Sequence, residues 1–141
     1  GTDLTQLNSL IGFETLTLGN NVDVTMSETQ FEGFGTFNGA PGVERITLNS
    51  ANGDGIIDGA NAPNIEVFNL NGACTFTLGS GGQNVFGSAG VNQIVKTTAA
   101  LDSYAGQLDG GTGDSDTLIV DDGDNYAVGG VVTGFENLTV G

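Results

Sequence analysis

The sequence predicts an all-β chain wound as a right-handed parallel solenoid, with a β-sandwich as the alternative. Three observations predict it. One octapeptide with alternating apolar residues recurs four times, 25 of the 141 residues are glycine, and no segment carries a convincing helical period. Glycine at that density without a collagen triplet implies many tight corners between short extended segments.

The recurring octapeptide reads 12-GFETLTLG-19, 42-GVERITLN-49, 64-NIEVFNLN-71 and 134-GFENLTVG-141. Its apolar positions are Phe13, Leu16 and Leu18, then Val43, Ile46 and Leu48, then Ile65, Phe68 and Leu70, then Phe135, Leu138 and Val140. Period-two alternation closed by Gly or Asn is a strand followed by a turn. Further strands are expected at 22-VDVTM-26, 74-CTFTL-78, 84-NVF-86, 92-NQIV-95 and 117-TLIV-120. The Ala-rich stretch 97–108 is the best candidate for a turn or two of helix. Glu44 to Glu66 is a step of 22 residues, about one solenoid coil, whereas Glu14 to Glu44 is 30, and that irregularity weighs against the solenoid. Stacked coils would ladder like on like at Thr15, Thr17, Thr47, Asn69, Thr77, Asn137 and Thr139. Glu14, Glu44, Glu66 and Glu136 read as solvent-facing positions of such ladders. Glu directly above Glu would repel, so neighbouring coils separate them or a cation bridges them. The chain ends on the motif with which it begins, as a segment cut from a longer array or able to continue head-to-tail.

A length of 141 residues bounds a single domain, 1–141. Asp and Glu outnumber Lys and Arg by 17 to 2, for a net charge of −15, and the two cations are Arg45 and Lys96. That charge repels nucleic acid and anionic lipid, and compaction costs self-repulsion unless cations are taken up. A hydrophobic content of 38% nonetheless excludes a disordered acidic tail. No apolar run reaches the roughly 20 residues of a membrane span. The lone Cys74 cannot form an internal disulfide and reads as a small buried apolar residue. The start at Gly1, without Met, suggests a processed piece. With no histidine and two distant cations, the chain offers few parts for acid–base or nucleophilic catalysis, and no enzyme is expected.

The stretch 108-LDGGTGDSDTLIVDDGDN-125 packs six carboxylates into eighteen residues, framed by glycine. Its core, 110-GGTGDSDTL-118, resembles the hemolysin-type or repeats-in-toxin calcium motif G-G-x-G-x-D-x-U-x, with one extra residue. Gly110, Gly111 and Gly113 fill the glycine places, Asp116 the ligand place and Leu118 the apolar place. Two consecutive units, 78-LGSGGQNVF-86 and 87-GSAGVNQIV-95, keep the frame but carry Gln83 and Asn92 where Asp belongs. A partial match, 52-NGDGIIDGA-60, adds Asp54 and Asp58.

The resemblance implies a β-roll-like solenoid with Ca²⁺ as cofactor. Its ligands would come from Asp109, Gly111, Gly113, Asp114, Asp116, Asp121, Asp122 and Asp124, with Asp54, Asp58 and Asn92 at the weaker turns. It also implies a secreted bacterial surface protein of the S-layer or adhesin type. The expected function is a calcium-stabilised extracellular module that assembles with copies of itself through its solenoid ends into a layer, stalk or filament. Two alternatives stay open. Thr-x-Thr faces at 15–17 and 75–77 would bind a cell-surface glycan or ice, and Arg45 beside acidic groups would suit a β-helix polysaccharide lyase or hydrolase.

Overall fold

Parallel pairing between residues about twenty positions apart organises the whole chain. The computed structural model describes residues 1–7, 10, 12–49, 55–79, 82–90, 93–97, 104–113, 115–120 and 130–141. One seven-stranded sheet takes β1 (Thr2–Asp3), β3 (Asp23–Ser27), β5 (Arg45–Asn49), β7 (Val67–Leu70), β9 (Asn84–Gly87), β11 (Gln107–Asp109) and β13 (Val131–Thr133), in that order. A five-stranded sheet takes β6 (Ile56–Asp58), β8 (Cys74–Thr77), β10 (Gln93–Lys96), β12 (Thr117–Val120) and β14 (Asn137–Val140). A third pair joins β2 (Thr15–Thr17) to β4 (Thr36–Asn38). Successive strands thus alternate between the seven-stranded sheet and the other two, and within each sheet a strand lies on its counterpart from the preceding coil. This is a parallel β-solenoid; the antiparallel pairing of a sandwich is absent among the described strands.

The register gives the coil lengths. Val24 pairs with Ile46 and Ile46 with Phe68, steps of 22 residues, and Phe68 then pairs with Val85 after only 17. On the other sheet, Ile57, Phe76 and Val95 follow at 19 residues. The coil is shortest where the two consecutive nine-residue units stand, and each unit leads into one strand, β9 in the first sheet and β10 in the second. The 30-residue step from Glu14 to Glu44 is not a coil. Glu14 precedes β2, whereas Glu44 precedes β5 of the seven-stranded sheet.

Alternation sends one residue in two into the space between the sheets. Val24, Ile46, Phe68, Val85 and Leu108 form one buried ladder, and Ile57, Phe76, Val95 and Leu118 face it from the other side. Phe68 and Phe76 meet across the interior at 4.8 Å between ring centroids. Each such side chain contributes roughly 1.5–3 kcal/mol through the apolar area it removes from water.

A short helix, α1 (Glu28–Glu32), departs from the expectation of no helix. Ser27 caps it, taking the N–H of Gln30 at 3.1 Å, while the Gln30 side chain accepts the Ser27 N–H at 2.8 Å. Phe31 turns inward from it and stacks on Phe37 at 4.5 Å. In the 97–108 stretch, residues 98–103 lie outside the described set, 104–106 are irregular, and Gln107–Asp109 is a strand. No helix among the described residues is long and apolar enough to cross a membrane.

Candidate functional site

A solenoid corner leaves backbone N–H and C=O groups that the flanking ladders cannot pair, and buried groups of that kind need partners. Inward-pointing acids and amides supply them here, usually from the next coil. The Asn21 N–H donates to Glu44 Oε1 at 3.0 Å, and the Glu44 N–H donates to Glu66 Oε2 at 2.9 Å. In the second sheet, the Gln93 N–H donates to Asp116 Oδ1 at 2.7 Å, and the Asp116 N–H to Glu136 Oε2 at 2.9 Å. Gln83 ties three backbone groups together. Its Nε2 donates to the carbonyls of Gly59 and Ala62, both at 3.0 Å, and its Oε1 accepts the Gly79 N–H at 2.8 Å. Glu28 Oε1 accepts from Gly55 and Ile56 at 2.6 and 3.1 Å, joining α1 to the start of β6.

This corrects the reading of the recurrent glutamates as a uniform solvent-facing ladder. Glu44 is 0% exposed, Glu66 is half-buried, and only Glu14 and Glu136 face water. Sequence offered one signal for this: an acid placed immediately before each strand, where a corner needs an acceptor. What it did not offer was the donor, which sits 22 or 23 residues earlier.

The glycine-rich acidic turn is built by close approach between coils. A Cβ on Gly87 would strike the carbonyl oxygen of Gly110, and one on Gly110 would strike that of Gly134. Gly111 and Gly113 have φ of +106° and +97°, which favour glycine. Asp109, at the end of β11, accepts the Gly111 N–H through Oδ1 at 3.1 Å. Asp109 Oδ1 and the Gly111 carbonyl oxygen converge on Gly134, both within 2.6 Å of where its Cβ would stand. These two oxygens and the exposed turn at Gly113 are the described part of the expected calcium site.

Asp116 flanks the same turn, its Cβ 2.8 Å from where a Gly110 Cβ would stand, but it is fully buried and its Oδ1 takes the Gln93 N–H, serving the corner. Its ladder neighbour is Gln93, and Leu118 stands beside Val95, so the 87–95 unit aligns one residue away from the motif frame. Asp58 is exposed and caps a 3₁₀ turn, Gly59–Asn61, by accepting the Ala60 N–H at 2.9 Å. Asp54, Asn92, Asp114, Asp121, Asp122 and Asp124 lie outside the described residues. Among the described residues, no group of three or more His, Cys, Asp or Glu side chains is placed to hold a metal.

Outer faces carry mixed ladders. Thr25 stacks on Thr47 and Thr47 on Asn69, but Phe86 and Asp109 follow in the same row. Thr75 stands between Ile56 and Ile94. A flat Thr array of the kind that would bind ice is not built from these rows. Arg45 reaches Asp23 at 3.4 Å on the surface, and Lys96 is exposed on β10.

Cys74 is buried at the start of β8, as expected. Burial pushes its thiol from an ordinary 9.0 up to about 12, and the negative charge of Glu28 adds to the shift. The folded state therefore holds the thiol proton more tightly than the unfolded chain does. This contribution to stability is complete below about pH 9 and is lost as pH rises towards 12. Ellman's reagent at pH 8 should leave native Cys74 unmodified and react only after denaturant is added. Rapid reaction of the native protein would contradict the buried placement.

No family model matches the chain, and no curated protein or solved structure matches it.

Proposed function

We propose that the chain is a calcium-stabilised structural module of an extracellular layer, stalk or filament, assembling with copies of itself. One observation carries the reading. The last coil presents to solvent what its predecessors bury: Val132 is 42% exposed and Leu138 67%, although they stand in register on Leu108 and Leu118, at 0% and 6%. Among the described strands, β13 and β14 are each paired along one side. Unpaired N–H and C=O groups beside an apolar row are a template for another strand. The occupant proposed is the first coil of a second copy, because 12–19 and 134–141 share one pattern and would keep the ladder in phase.

Calcium enters through the 108–125 turn, whose glycine frame resembles the repeats-in-toxin motif. Neutralising carboxylates there would tie neighbouring coils, and plentiful calcium outside cells would fill even weak sites of about 10⁻⁴–10⁻³ M. S-layer and adhesin-type surface proteins are the class in which such a module belongs.

The test is particle mass by light scattering in millimolar Ca²⁺, comparing the natural chain with the double variant Val132→Lys, Leu138→Glu. The natural chain should grow with protein concentration and the variant should stay monomeric with an unchanged circular dichroism spectrum. A natural chain that remains monomeric at high concentration in calcium would refute the assembly.

A further inference from the structure

The structure assigns a second divalent-cation site, separate from the 108–125 turn, to the corner around Glu44. Glu44 is 0% exposed, and its two oxygens have different fates. Oε1 accepts the Asn21 N–H at 3.0 Å. Oε2 is buried and has no hydrogen-bond partner among the described residues. A buried carboxylate oxygen left bare is costly, and such groups in native proteins are normally matched by a donor, a water or an ion.

The surroundings of Glu44 are oxygen-rich. Glu44 Oε2 and the Asn64 carbonyl oxygen both lie within 2.9 Å of the point a Gly39 Cβ would occupy. Glu44 Oε1 and Asn20 Oδ1 both lie within 3.0 Å of the equivalent point at Gly42. Glycine at 39 and 42 thus lets a backbone carbonyl approach beside Oε2 and a carboxamide oxygen beside Oε1 of the same carboxylate. The next coil brings a second carboxylate to the same corner, since Glu66 Oε2 accepts the Glu44 N–H. No protein cation compensates these charges: Arg45 turns to Asp23 on the outer face, and Lys96 stands on β10 of the other sheet. An all-oxygen donor set with one or two carboxylates suits a hard divalent ion such as Ca²⁺. A bridging ion would also relieve the repulsion between Glu44 and Glu66, one coil apart.

This site does not depend on the 108–125 turn, and the test keeps the two apart. Ca²⁺ binding is measured by calorimetry, with Tb³⁺ luminescence as a second probe, on the natural chain, Glu44→Gln, Asn20→Ala and Asp109→Asn. Glu44→Gln keeps an oxygen for the Asn21 N–H, and Asn20→Ala leaves Glu44 itself untouched. We expect Glu44→Gln to lose one bound ion, Asn20→Ala to bind that ion at least about tenfold more weakly, and Asp109→Asn to retain it. Unchanged binding in folded Glu44→Gln and Asn20→Ala overturns the assignment. So does a natural chain that takes up no Ca²⁺ or Tb³⁺, or one whose uptake vanishes entirely in Asp109→Asn. In that last case calcium at 108–125 survives and the Glu44 site does not.

Discussion

Replacing Phe68 with Ala is expected to destabilise the folded chain by about 3–5 kcal/mol and to lower its melting temperature by roughly 10–15 °C. Phe68 is 0% exposed and stands mid-ladder, between Ile46 and Val85 in neighbouring coils. It also packs edge-on against Phe31 at 6.1 Å and at a tilt against Phe76 at 4.8 Å, so one truncation opens a cavity touching both sheets and α1. The surrounding coils cannot collapse into it, because each backbone is fixed by ladders above and below. Phe13 is the control. It fills an apolar place in the same octapeptide but is 58% exposed, and Phe13→Ala should cost no more than about 0.5 kcal/mol. Guanidinium unfolding followed by circular dichroism measures both. A Phe68→Ala loss below about 1 kcal/mol would mean that the interior ladder is not continuous.

That contrast marks the limit of what the sequence carries. Alternation in 42–49 and 64–71 locates strands and assigns Ile46, Leu48, Phe68 and Leu70 to the interior correctly. It cannot say that Val43 is half-exposed while Ile65, at the same place in the pattern, is buried, because that depends on the corner each residue enters. The strands Thr2–Asp3, Thr36–Asn38, Gln107–Asp109 and Val131–Thr133 are too short to alternate, and pairing with a neighbouring coil makes them strands. Helix α1 is not foreseen, because its five residues are too few to show a helical period.

The acidic positions divide in the same way. Local sequence offers charge and glycine, and Gly111 and Gly113 do take left-handed φ. It offers nothing about the distant backbone N–H that claims Asp116, since that donor belongs to Gln93 in the coil before. An acid written into a metal-like motif can therefore be a corner cap, and an acid of the strand octapeptide, such as Glu44, can hold a buried oxygen with no hydrogen-bond partner among the described residues.

Calcium carries the second large effect. A site with a dissociation constant of about 10⁻⁴–10⁻³ M, filled only in the folded state, stabilises the chain by about 1.4–2.7 kcal/mol at roughly 10 mM Ca²⁺. That is roughly 4–8 °C per site. Mg²⁺ should do much less, because it demands near-ideal octahedral geometry and gives up its water reluctantly. With a net charge of −15, some of any gain would be general screening, which Mg²⁺ at equal concentration reports separately.

The most direct measurement is therefore thermal unfolding and particle size, recorded together on one sample in about 10 mM Ca²⁺, in equal Mg²⁺, and in excess chelator. The account predicts a melting temperature highest in Ca²⁺, with particle growth that chelator reverses and Mg²⁺ does not reproduce. Identical melting and identical size in all three would contradict it, leaving 108–125 a solvated turn and the solenoid a module that neither binds calcium nor assembles.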